Sequence, residues 1–367
     1  MDNRQTPRQS NIELLRIAAM IFIIAHHFAG HGKFFFPVTE ISLNRLWIQF
    51  LLIGGKVGVN VFVLISGYFM VSAREIKTGK VLRLWGQIFF YSLVIFGIFV
   101  LGGIRPFGIR EMIRHLAPVT FTQWWFASTY FVLYLLSPFL NKMLNSFDKK
   151  QYVGFLALLT ALWCIIPTFT GKNMESNFLL WFVYLYCLAG YFRLHGFRIK
   201  LYAPRLLGLS FGFALLTFLS AVVFDVLGTK MTFFGEHATY FYDMQRLPVL
   251  LISVSMLLGF LKLEIGYSKW INRIASATFG VYLLHDHPYV RTFLWETVFQ
   301  NAAFADSKLL IPYSLLAPAV VFVICTAVEL SRMHLLEQRL RLVFEKLAGV
   351  LDGWKERFLS DRVIEKL

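Results

Sequence analysis

Cysteine, acidic residues and glycine-rich phosphate loops are all scarce in this chain. Only three cysteines occur in 367 residues, Cys164, Cys187 and Cys325. Each sits in an apolar stretch without metal-ligand spacing, so they read as small buried residues and imply neither a disulfide nor a zinc site. Asp and Glu number 21 against 36 Lys and Arg, and charged residues make up only 16% of the chain. No internal repeat, low-complexity linker or Gly-rich phosphate loop is present, which removes repeat arrays and the usual nucleotide cradles from consideration. No small-x-small cleavage site follows the apolar run at residues 17–25, so the first span is read as uncleaved rather than as a signal peptide.

Apolar sequence is what the chain has in excess. Hydrophobic residues reach 57%, with 39 Phe and a mean hydropathy of +0.61, against roughly 45–50% apolar in soluble domains. Runs of membrane-spanning length recur throughout. They predict an all-α, polytopic integral membrane protein with about ten transmembrane helices and no separate soluble domain. The spans fall near residues 12–30, 47–70, 81–103, 122–141, 152–170, 178–194, 206–228, 247–263, 275–298 and 309–330. Lys and Arg gather in alternate loops, near residues 74–83 (Arg74, Lys77, Lys80, Arg83), 142–150, 193–205 (including Arg198) and 262–273. The positive-inside rule then places both termini in the cytoplasm. The net charge of +15 is explained by those loops, and no nucleic-acid partner is expected. One loop runs against the rule. Residues 104–116 carry Arg105, Arg110 and Arg114 yet fall outside, and read as an amphipathic helix on the outer interface. The tail repeats Leu336, Leu340, Val343, Leu347 and Leu351 between charges. It reads as an amphipathic helix on the cytoplasmic membrane surface. The division expected is a transmembrane domain at 1–331 and a cytoplasmic tail at 332–367.

The first span is unusual. Residues 11–30, NIELLRIAAMIFIIAHHFAG, carry Glu13, Arg16, His26 and His27. Ionisable groups inside a membrane helix cost about 2.5–3.5 kcal/mol each even on the mildest scale, and mark a candidate functional site. Arg16 and His27 are eleven residues apart, roughly three turns and about 16 Å, nearly on one face. Glu13 precedes Arg16 by three and can pair with it. The plainer reading is a cationic helix start that snorkels to the headgroups, with the histidine satisfied by a neighbouring helix. His26 points about 100° away from His27.

Four other stretches carry polar groups at membrane depth. GGKVGVNVFVLISGYFM has glycines at 54, 55, 58 and 67. These allow close helix approach, and Ser66-Gly67 is a candidate cavity lining. Lys80 and Arg83, three apart at the start of the third span, suit either the phosphates of a nucleotide-like ligand or ordinary anchoring at the inner surface. FTQWWFASTYFVLYLLSPFL begins with an aromatic belt at Trp124 and Trp125, and Ser128, Tyr130 and Tyr134 are candidates for a polar cavity. TFGVYLLHDHPYVRTFLW combines Tyr282 and His285 at i, i+3 with Asp286, His287 and Arg291. His285 is expected to face the interior, and His287-Pro288 reads as a helix end at the outer surface. No metal site is expected, because there is no acidic cluster and His26 and His27 point to different sides.

Together these stretches resemble the membrane-bound acyltransferase 3 family of bacterial O-acyltransferases, which modify cell-surface glycans. The resemblance covers essentially the whole chain. It rests on Arg16, ten intervening residues and His27; on VNVFVLISGYFM; on the basic start of the third span; on WWFASTYFVLYLLSP; and on TFGVYLLHDHPYVR. The family commonly has two arginines where this chain has Lys80 and Arg83, and lysine lacks the bidentate fork. The extra extracytoplasmic hydrolase-like domain of some relatives is absent, so the membrane domain itself would complete the transfer. The resemblance implies a multi-pass protein of the bacterial cytoplasmic membrane that uses acyl-CoA, usually acetyl-CoA, as donor. Lys80 and Arg83, with Arg16, would hold the CoA, Ser66 would line its cavity, and Glu13 would join Arg16 and His27 in the catalytic group. His27 would be the general base or acyl relay, with His26 behind it or sharing the relay. Tyr282 and His285 would neighbour the glycan acceptor. Direct transfer and an acyl-enzyme intermediate both remain open. A transporter or flippase for a glycan or anionic substrate is the alternative from another class, since it too would bury Arg, Glu and His.

Overall fold

The computed structural model describes residues 9–73, 75–197 and 200–358. Arg74 and Arg198, counted above among the loop cations, lie outside these residues, as does the end of the tail. Every regular element described is helical. Among the described residues, eight helices are long and apolar enough to cross a membrane.

Helix α1 (Ser10–His31) lies at the centre, against α2 (Leu43–Met70). Glycines set that contact. A methyl group added at Gly58 would lie 2.7 Å from the Ala19 carbonyl oxygen, and one at Gly55 would fall within the His26 ring. Helix α2 also packs on α8 (Phe178–His195) and α11 (Leu247–Leu261), and α5 (Trp125–Ser146) leans on α8. Burial separates inner from outer helices. In α2, 72% of the most apolar window is buried, whereas in α9 (Ala203–Gly228) the share is 22%. Phe211, Leu216 and Val223 of α9 are exposed, as a helix facing acyl chains requires.

Two expected spans depart from a simple helix. Residues 149–170 form α6 (Lys149–Thr160), a π-helical turn (Ala161–Ile165) and α7 (Ile166–Thr170). Pro167 lacks the N–H that would continue the α-helical ladder, which accounts for the wider turn before it. The expected ninth span is not one helix. It is divided into α12 (Lys269–Ser276), α13 (Thr278–His285), α14 (Pro288–Thr292) and a π-helical stretch (Phe293–Val298). Pro288 opens α14 instead of continuing α13, and His287 caps it by accepting from the Tyr289 N–H at 3.1 Å. The basic loop holds α4 (Ile109–Leu116), with Ile109, Ile113 and Leu116 exposed along one side.

The last expected span and the tail form a single helix, α15 (Leu310–Phe358), that runs unbroken through residues 331 and 332. Its 49 residues extend about 74 Å at 1.5 Å per residue, more than twice a hydrocarbon core of roughly 30 Å. The surplus is bedded on the start of α3 (Thr78–Leu101). Phe344 covers Gly86, and Thr78 Oγ1 donates to Asp352 Oδ1 at 2.5 Å.

Candidate active site

His27 is buried three turns along α1 from Arg16. Its Nδ1 lies 2.9 Å from Nε2 of His285, the last residue of α13. Nδ1 of His285 in turn lies 2.6 Å from the Val281 carbonyl oxygen. A carbonyl only accepts, so His285 carries its proton on Nδ1, and the neutral ring presents a lone pair at Nε2. With both rings neutral, His27 must donate from Nδ1. Its Nε2 is then the unprotonated nitrogen.

The break after α13 delivers the neighbouring groups. Asp286 is buried, with Oδ1 3.6 Å from His27 Nδ1, 3.9 Å from His31 Nε2 and 3.3 Å from Arg291 Nη1. His287 turns the other way, towards Gln123 at 3.0 Å, beside His115 and Trp124. It is fully buried, which corrects the reading of this residue as a surface helix end. The cap to Tyr289 and the Gln123 contact satisfy it inside.

A cavity of about 490 Å³ opens against this cluster. His26, His27, His31, Lys56, Asp286 and Arg291 form its polar wall, and Phe62, Trp125, Phe126, Phe178, Phe279 and Tyr282 form the aromatic one. His26 donates from Nδ1 to the Leu52 carbonyl at 2.8 Å, with its ring seated over Gly55. Tyr282 is buried on α13 with its ring edge-on to Phe126 at 5.4 Å. His285 stands behind His27 rather than on the cavity wall. The ligand atoms of His27, His31 and Asp286 lie within 4.8 Å of one another. That grouping was not anticipated when a metal site was set aside. Arg291 shares the Asp286 oxygen, however, and a fixed cation at 3.3 Å opposes a divalent ion there.

The sequence profile of a family described as an acyltransferase domain matches residues 9–330. The chain belongs to the acyltransferase 3 family. Membership, together with the apolar helices, makes it a multi-pass membrane acyltransferase. No curated protein and no solved structure matches the chain.

A second polar region of this acyltransferase lies at the other end of the bundle, where α1 begins and α3 starts. A cavity of about 340 Å³ is lined by Lys80, Arg83, Gln87, Arg332, Glu337 and Phe344. An adjoining one of about 830 Å³ shares Lys80 and Arg83. The remaining sequence candidates line none of these three cavities. Arg16 Nε lies 3.8 Å from Glu13 Oε2 on its own helix. Ser66 donates to the Phe62 carbonyl at 2.9 Å and meets the Tyr130 hydroxyl at 3.1 Å.

Sequence reasoning assigned no role to His31, Asp286, Arg291 or Arg332. His31 had a visible signal, four residues after His27 on the same helical face. It was lost because the span was ended one residue too early. Asp286 and Arg291 were noted as dense polar groups, but their convergence on His27 depends on the helix break.

Proposed function

We propose that this chain transfers an acyl group, in the first instance acetyl, from cytoplasmic acyl-CoA to a hydroxyl of a cell-surface or lipid-linked glycan, in the bacterial cytoplasmic membrane. The observation that carries the reading is the Val281–His285–His27 chain of hydrogen bonds. It leaves an unprotonated imidazole nitrogen on a residue that lines a cavity with one polar and one aromatic wall. In the proposed step the acceptor hydroxyl gives its proton to His27 Nε2 while its oxygen attacks the thioester carbonyl carbon. The C–O bond forms and the C–S bond breaks. The departing thiolate takes the proton back from His27, so CoA leaves as the thiol and the base is restored. Asp286, 3.6 Å from Nδ1, stabilises the imidazolium that exists between the two transfers.

Lys80 and Arg83 are assigned to the CoA phosphates, and Arg16, paired with Glu13, adds a cation on the same helix as the base. Tyr282 and His26 border the space assigned to the reacting groups. Ser66, bonded to Tyr130, would lie beside the donor's path between the two ends. The test is turnover in nanodiscs, following free-thiol release from acetyl-CoA with a glycan extract present. His27→Ala is expected to lower the rate by roughly 10²–10⁴-fold in an equally well folded protein. Unchanged release by the variant would remove His27 from the role of base.

A further inference from the structure

Arg332 sits where the membrane-length part of α15 gives way to the extension, and no established role accounts for the arrangement around it. Its side chain is only 7% exposed. Nε donates to Glu329 Oε2 at 2.7 Å and Nη2 to Glu329 Oε1 at 2.9 Å. Glu329 is itself fixed from α3, by Gln87 Nε2 at 2.9 Å and by the Tyr91 hydroxyl, and its carboxylate fills the space left open by Gly280. The guanidinium is therefore held from behind in one orientation, stacked over Phe90 at 5.9 Å. Its outer side meets a different kind of partner. Nη2 lies 3.1 Å from Glu337 Oε2, and the Glu337 side chain is 40% exposed. The Tyr91 hydroxyl lies against the guanidinium as well.

The same cavity is lined by Lys80 and Arg83, neither of which has an ion-pair partner among the described residues. Arg83 donates from Nε to the Gly79 carbonyl at 3.2 Å and lies within electrostatic reach of Glu345 across the adjoining cavity. Lys80, Arg83 and the pinned guanidinium thus face one space, with the solvent-reached carboxylate of Glu337 lodged among them. Buried ion pairs are held by rigid geometry. An exposed one is worth little and exchanges readily. Glu329 belongs to the first kind and Glu337 to the second.

We propose that Arg332 is a third cation of the donor-phosphate site, and that Glu337 is a displaceable carboxylate that occupies it until an anionic donor arrives. The inference rests on the assignment of Lys80 and Arg83 to acyl-CoA. Arginine supplies the planar fork that lysine at position 80 lacks, which suits a phosphate bound by two nitrogens of one side chain. Because Glu337 lies on the α15 extension, donor binding and the seating of that extension on α3 would compete.

The experiment is CoA binding to the full chain in nanodiscs, by calorimetry at fixed ionic strength. Glu337→Gln is expected to lower Kd roughly three- to fivefold, the size of an exposed ion pair. Arg332→Lys, which keeps a charge opposite Glu329, is expected to raise Kd roughly tenfold. Lys80→Ala serves as the control for the donor assignment and is expected to raise Kd as well. If Lys80→Ala weakens binding while Glu337→Gln leaves it unchanged or weaker, the inference is overturned and the donor assignment stands. If Lys80→Ala has no effect, the assignment of this end to CoA fails, and the inference fails with it. Tighter binding in Glu337→Gln cannot be produced by damage to the fold.

Discussion

At the His27 end each polar group leads to another. Val281 orders His285, His285 orders His27, and Asp286 is shared among His27, His31 and Arg291. At the Lys80 end two cations face a cavity, and the third is pinned by buried Glu329 on one side and meets only the part-exposed Glu337 on the other. The contrast matches the two tasks proposed for these ends. A base must present one lone pair in one direction, so its surroundings are interlocked and backed by backbone that cannot reorient. A site for a multiply charged ligand that enters and leaves must offer charge that is not already spent internally. One aromatic wall borders the first region, and the bedded extension of α15 borders the second.

This contrast can be broken in four ways. His285→Gln should have the largest effect of the four. It removes the group that sets the His27 tautomer while leaving His27 in place, so kcat should fall roughly 10–100-fold with the KM for acyl-CoA nearly unchanged. A change confined to KM would mean that His285 contacts a substrate instead. Arg83→Ala should do the reverse, raising the KM for acyl-CoA roughly tenfold while kcat at saturation holds. A matching fall in kcat at saturating donor would contradict the separation of the two ends. Gly55→Ala probes the rigidity of the His26 seat. Overpacking against that side chain should destabilise the protein by about 1–3 kcal/mol, read as earlier thermal unfolding in detergent, since the three atoms nearest the added methyl all belong to His26. Chelation should have the smallest effect. Overnight dialysis against EDTA is expected to leave turnover unchanged. Activity lost to EDTA and restored by one divalent ion would instead make His27, His31 and Asp286 a metal centre and displace the tautomer argument.

Much of the architecture was legible in the residues because apolar length is a strong, local signal. The central helix with Glu13, Arg16, His26 and His27 appears where its sequence places it. Glycines 54, 55 and 58 meet α1 as small residues at a helix interface should. The stretch at residues 275–298 was less legible. Its composition averages to a span, but Pro288 and the polar run before it break the helix, and averaging over a window erases a break. The tail was readable as a helix with an apolar stripe. Its bed was not: Val343, Leu347 and Leu351 of the expected stripe stay exposed, and it is Phe344 and Ala348 that meet α3, because helical spacing does not name the partner that buries a face.

By itself the sequence determined the class of the molecule, the helix that carries its polar residues, and the placing of Lys80 and Arg83 at the start of one helix. Those properties follow from hydropathy and spacing along one chain. The pairing of His27 with His285, 258 positions apart, was decided only by the tertiary structure, as were the turning of Asp286 towards α1 and His287 away from it, and the meeting of Arg332 with Lys80 and Arg83. Each depends on where one helix stops against another. That position is set by packing among several helices at once, and no periodicity within a single segment records it.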